Sequence, residues 1–201
     1  PAYKIASFEN NHLPLIRKVS KTGKPLIIST GMSSLGDIEQ AVKVAIESGC
    51  SDFALLKCTS TYPASPINTN LKTISSLREI FKCEIGLSDH TKGIGVALAS
   101  ISLQSTIIEK HFTLSRDHGG VDSEFSIEPH ELRSLVIETQ RAWESIGNVE
   151  YGVQEVELKS KNLKRSIYAS EEIEIGEPFT PSNIRIIRPG KGAHPQYYDV
   201  L

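Results

Sequence analysis

Residues 107–114 read IIEKHFTL, a β-branched pair followed at once by Glu109, Lys110 and His111. With Thr106 before them, the isoleucines suit a strand buried on both faces. Three titratable side chains at its end mark either an ordinary exit to solvent or the rim of a site, and the rest of the chain decides between the two. Comparable runs occur at 3–7 (YKIAS), 25–30 (PLIIST), 52–59 (DFALLKCT) and 84–90 (EIGLSDH). Each also finishes in polar residues: Ser7 and Glu9, Ser29 and Thr30, Thr59 and Ser60, Ser88 to His90.

Helix-like stretches lie between the runs, at 12–21, 34–48, 70–81 and 93–104, with another at 129–146 after the last run. The second places Leu35, Ile38, Val42 and Ala45 on one face; Ser34 and Asp37 have the spacing of an N-terminal cap, and Gly49 suits its stop. Apolar strands alternating with helices predict an α/β fold with a parallel sheet covered by helices. Polar carboxyl ends on every strand predict one face of a β/α barrel, whereas a doubly wound sheet concentrates polar groups at one switch point. A full barrel takes roughly 250 residues. Only five strand–helix units are visible, so either the sheet is open or the first part of the barrel lies outside this chain.

From 148 the character changes. Residues 148–164 are polar and linker-like, with a short helix expected at 154–162; RSIYAS, EIEIGEPFT and NIRIIRPGKGAHP then predict short strands and turns of a small β-rich domain over 165–201. The barrel part is expected to occupy 1–147.

A net charge of −2 and a pI near 6.4 give no basic field for nucleic acid. No apolar run approaches ~18 residues, and the N-terminus has no basic and apolar leader pattern, so no membrane span is expected and the protein is read as cytoplasmic. Cys50, Cys58 and Cys83 are an odd number beside apolar segments and are expected to be buried free thiols. STGMSS has one glycine and matches neither a P-loop nor a dinucleotide fingerprint.

His90 and His111 end consecutive strands. Neighbouring parallel strands lie ~5 Å apart, so both imidazoles can reach one metal ion and leave positions open for substrate. Asp89, Glu109 and Glu9 are available to orient a ligand or water. Lys4 and Lys110, with Ser7, Ser29, Ser60 and Ser88, form a cationic, hydroxyl-rich rim suited to a phosphate, and Lys57 is a further candidate. The polar loop 117–129 (DHGGVDSEFSIEP) is long enough to cover this face, with Asp122 able to accept hydrogen bonds from sugar hydroxyls.

Taken together, YKIAS, IISTGM, LKCTSTYPA, GLSDHT, EKHFTL and RPGKG resemble the sialic acid synthase family, phosphoenolpyruvate-dependent nonulosonate synthases that join a barrel to an antifreeze-like β-clip (SAF) domain. SRDHGGVDSEFSIEP and IRPGKGAHPQYYDVL look most like its pseudaminic acid synthase branch. The resemblance implies the C-terminal five βα units of a TIM (β/α)8 barrel, with three units preceding YKIAS and an SAF domain continuing beyond Leu201. It implies His90 and His111 as ligands of a divalent metal, Mn2+ or Mg2+, and Lys4, Ser7, Ser29 and Ser88 as holders of phosphoenolpyruvate. Ser60 stands where relatives often carry Asn. Glu9 would lie near metal and sugar, handling water or a sugar proton, and Asp122 would bind an acylamino sugar. Arg188 would reach the sugar in the partner subunit's barrel, implying a domain-swapped homodimer.

The expected reaction condenses phosphoenolpyruvate with 2,4-diacetamido-2,4,6-trideoxy-L-altrose to give pseudaminic acid and phosphate. The alternatives are an N-acetylneuraminate or legionaminate synthase using N-acetylmannosamine or a related sugar, and, in a different class, a non-catalytic sugar-binding or assembly module. The 201 residues alone are expected to be inactive and prone to associate.

Overall fold

The computed structural model describes residues 1–201, which divide into two compact units, Pro1–Gly147 and Asn148–Leu201. In the first, β1 (Tyr3–Ile5), β2 (Leu26–Ser29), β3 (Phe53–Cys58), β4 (Glu84–Asp89) and β5 (Ile108–Lys110) form one parallel sheet in chain order. Between and after them run α1 (Leu13–Ser20), α2 (Leu35–Glu47), α3 (Thr73–Phe81), α4 (Gly95–Ile101) and α5 (Pro129–Ile146). No helix is long and apolar enough to cross a membrane.

The register shows which side chains share a face, because successive residues of a strand point to opposite sides. Ile5 pairs with Ile28 and Leu55 with Ile85; with Leu26 and Leu87 they form the buried helix-side layer, against Ile16, Ile38, Val42, Ala45, Ile74 and Leu77. The opposite face carries Lys4, Ser29, Leu56, Cys58, Gly86, Ser88 and Glu109. This face is concave: the Lys4 ammonium on β1 lies 3.5 Å from the Glu109 carboxylate on β5. Four flat strand spacings would separate them by ~19 Å, so the sheet is curled as in a closed barrel. At Gly86 a Cβ would collide with the Leu56 side chain and the Ile107 carbonyl, so only glycine lets the strands approach there.

Local chemistry sets the helix ends. At α2 the Ser34 and Asp37 side chains each bond the other's backbone N–H, a complete capping box, and Gly49 takes φ +97° beyond the helix. Pro129 opens α5, and Glu128 and Glu131 make a second box there. The residues after β1 tighten into a 3-10 turn at Ser7–Glu9, so the strand is shorter than the run 3–7 predicts.

In the second unit α6 (Leu158–Lys161) follows a 3-10 turn, and β6 (Ser166–Ala169) pairs antiparallel with β7 (Ile184–Ile187), burying Ile167 and Ile184. The alternating EIEI run at 172–175, expected as a strand, is not one. Gly176 adopts φ +89°, the Glu177 carboxylate accepts from the Glu174 N–H at 3.0 Å, and Ile175 is fully exposed. Alternation without a neighbouring strand edge leaves the segment a turn. All three cysteines are free; Cys50 and Cys58 are buried and Cys83 is partly exposed.

Candidate active site at the carboxyl ends of the strands

Lys4 donates from Nζ to the Ser29 hydroxyl at 2.8 Å and to its neighbour's carbonyl, Ile5 O, at 3.0 Å. Glu109 completes this group: one oxygen faces Lys4, and the other accepts from the Ser88 hydroxyl at 2.7 Å. Ser29 and Ser88 are buried at 1% and 3% exposure, so their hydroxyls are aimed by packing and are not free rotors at the surface.

Next to them, the Ser7 hydroxyl accepts from the Gly31 N–H at 3.0 Å. A Cβ on Gly31 would run into the Ser60 hydroxyl and come within 2.7 Å of the Ser7 hydroxyl. Gly31 thus leaves open a small space lined by two hydroxyls. In the sequence this glycine is weighed only against nucleotide-binding loops, although its place two residues past the end of β2 is a signal of close backbone approach.

His90 and His111 stand just past the ends of β4 and β5 with ring centroids 5.2 Å apart. His90 is 6% exposed, and its Nδ1 lies 3.0 Å from the Thr59 carbonyl. That carbonyl can only accept, so Nδ1 carries a proton, and in the neutral ring Nε2 is the nitrogen left with a lone pair. His111 Nδ1 lies 3.5 Å from the Asp122 carboxylate, which reaches in from the loop after β5. Two imidazoles held this close, one of them anchored through Nδ1, fit a divalent ion that retains open positions.

The pair is electrostatically asymmetric. Burial pulls the His90 pKa down, but bonds to Cys58 and Thr59 and the nearby Cys58 and Asp89 charges leave it raised. Burial and the neighbouring His90 leave His111 lowered. Burial pushes the Cys58 thiol up; bonds to His90, Ser7 and Ser60 outweigh it and bring the thiol down to about 7. Tyr62 lies against His90 at 4.4 Å and Phe125, 5% exposed, against His111 at 5.0 Å, walling the imidazoles on one side. Neither aromatic was legible from sequence, because both stand on loops without periodicity.

Glu9 ends the 3-10 turn beside Ser7 and is partly buried. Arg188 is exposed in the second unit, just after β7.

Three expectations for neighbouring residues need correction. Lys110 does not join the phosphate rim: its ammonium bonds Asp89 Oδ2 at 2.8 Å and the Thr91 carbonyl at 2.8 Å, on the helix side of the sheet. Asp89 is engaged there as well and makes no direct bond to a rim group; its other oxygen accepts from the Thr91 N–H and hydroxyl. Lys57 also points to the helix side, bonding the Cys58 carbonyl and the Thr59 hydroxyl. In each case one step along a strand changes the face.

Two other features lie outside this site. A cleft of about 920 Å³ lined by Pro25, Asp52, Cys83 and Glu84 opens at the amino ends of the strands, away from the histidines and lysine. Glu128, His130 and Glu131 bring metal-type donors together, but both carboxylates also engage Arg116 and cap α5.

Fold and site together define a barrel-type α/β sheet with a cationic, hydroxyl-rich, two-histidine rim at the strand carboxyl ends. The chain belongs to the NeuB family, which residues 1–151 match, and residues 164–201 match the SAF domain. It is 38% identical over its whole length to the pseudaminic acid synthase of Campylobacter jejuni subsp. jejuni serotype O:2, covering 58% of that protein. It is equally 38% identical to the N,N'-diacetyllegionaminic acid synthase of the same organism, over 98% of this chain and 60% of that one. The crystal structure of N-acetylneuraminic acid (sialic acid) synthetase from Leptospira borgpetersenii serovar Hardjo-bovis in complex with citrate superposes with a TM-score of 0.73 at 37% identity. That match covers 78% of this chain and 55% of the other. The chain thus spans less than two thirds of the length of these relatives.

Proposed function

We propose that this chain carries the metal-binding and much of the phosphate-binding machinery of a phosphoenolpyruvate-dependent nonulosonic acid synthase. The observation behind this is the convergence of Lys4, Ser29, Ser88 and Glu109 with the His90–His111 pair at one end of a curled sheet. An ammonium with buried hydroxyls suits a phosphate. Lys4, Ser29, Ser88 and Ser7 hold that of phosphoenolpyruvate, and Ser60 lies beside them.

His90 and His111 would hold a divalent ion, Mn2+ or Mg2+, which supplies Lewis acidity toward a sugar carbonyl oxygen. Glu9 takes or delivers the proton of the water that adds to C2 of phosphoenolpyruvate after its C3 has bonded to the sugar C1, before phosphate leaves. Asp122 binds the acylamino sugar and orients His111. Tyr62 and Phe125 keep bulk water from the imidazoles. Arg188 acts, in a homodimer with exchanged SAF domains, on the sugar in the second copy's barrel.

The preferred sugar is 2,4-diacetamido-2,4,6-trideoxy-L-altrose, giving pseudaminic acid, because the 115–129 and 187–201 segments resemble that branch most. A legionaminic or N-acetylneuraminic acid synthase is the second reading, supported by the equal identity to the legionaminic relative. The test is phosphate release by the full-length protein with Mn2+ or EDTA, offering the trideoxy sugar, its legionaminate counterpart and N-acetylmannosamine in parallel. Metal-dependent release with the first alone supports the preferred reading, and release with either other sugar moves the assignment. Silence with all three, together with no Mn2+ binding, leaves a non-catalytic sugar-binding or assembly module.

A further inference from the structure

Asp89 and Lys110 form an ion pair whose side chains are 0% and 3% exposed, on the face of the sheet away from the histidines. The proposed reaction makes no use of it. A buried ion pair is a poor source of stability, since desolvation of both charges offsets their attraction and an apolar pair serves as well. Its place in the sheet gives it another use. Asp89 opposite Lys110 is the last rung of the β4–β5 ladder, and His90 and His111 are the next residue on each strand.

The pair is also fully bonded. Lys110 donates to Asp89 and to the Thr91 carbonyl, and Asp89 accepts twice from Thr91, itself 0% exposed. The residues on both sides of His90 are therefore tied to the residue before His111. We propose that Asp89–Lys110–Thr91 is a positioning strut that fixes the separation and height of the two imidazoles, so that metal affinity depends on an ion pair that does not touch the metal. This rests on the metal-binding reading of His90 and His111 given above.

The test is Mn2+ binding by the intact protein, followed by electron paramagnetic resonance, with Co2+ absorption reporting ligand geometry and thermal unfolding as a fold control. Lys110→Met strands a buried carboxylate and is expected to destabilise. The informative variant is therefore Asp89→Asn with Lys110→Met, which removes both charges and keeps an oxygen for Thr91. It is expected to retain a folded protein while weakening Mn2+ binding about 10–100-fold, as loss of supporting partners around metal ligands does, with an altered Co2+ spectrum. Thr91→Val, a milder change at the same strut, is expected to shift both readouts in the same direction and keeps the test open if the double variant does not fold. Wild-type Mn2+ affinity and Co2+ spectrum in either folded variant would overturn the strut. His90→Ala separates the two ideas: if it leaves Mn2+ binding intact the metal reading itself fails, and if it abolishes binding while the strut variants bind normally only the strut fails.

Discussion

At the scale of single residues, the candidate site turns on a few atoms whose surroundings leave them little freedom. Glu9 ends the 3-10 turn that begins at Ser7 and is partly buried. In Glu9→Gln, turnover is expected to be lost while Mn2+ and phosphoenolpyruvate still bind; steady-state kinetics beside calorimetric binding measure both, and near-normal turnover would remove Glu9 from the chemistry. Gly31→Ala puts a methyl group where the Ser7 and Ser60 hydroxyls now converge. It is expected to lower kcat/KM for phosphoenolpyruvate roughly 10–100-fold, the scale of a misplaced binding group, with little change in Tm. The faces of Lys110 and Asp89 were legible in the sequence had period two been applied strictly: Glu109 and Lys110 must point to opposite sides, as must Ser88 and Asp89. Tyr62 and Phe125 were not, because contacts between loops leave no periodic trace.

At the scale of elements, pattern and caps carry most of the information. The 34–48 stretch folds as α2 almost to the residue because Ser34, Asp37 and Gly49 fix its ends and an apolar stripe fixes its face. EIEIGEPFT has the alternation of a strand, but alternation only records which side chains share a face. It cannot supply the neighbouring edge that a strand needs. The cap of α5 leads to a pH dependence. Partial burial pushes the Glu131 carboxyl up, but the Glu128 N–H and Arg116 pull it below the usual carboxylate range. A depressed pKa means stability that is fully present above the unfolded value of about 4.3 and is lost as pH falls through the lower folded value. Glu131→Gln is therefore expected to lower Tm at neutral pH, with the gap from wild type closing below about pH 4. Thermal scans across the acid range check this, and a gap that stays constant would show the charge to be idle.

At the scale of the whole molecule, the parallel sheet was readable from five repeated strand–helix units, and its barrel curvature from the polar residues gathered at every carboxyl end. Within this sheet β1 and β5 each pair on one side only. Unpaired edges and an open concave face recruit other chains. The 201 residues by themselves are accordingly expected to self-associate and to release no phosphate from phosphoenolpyruvate; light scattering and a phosphate assay test this, and an active monomer would refute it. One contact gives the curl a further meaning. Because Lys4 and Glu109 meet across the mouth from the first and last strands, one ion pair bridges the concave face from edge to edge. An anion bound by Lys4 therefore has to compete with the Glu109 carboxylate, and anion affinity at this rim is expected to rise as pH falls and Glu109 is protonated.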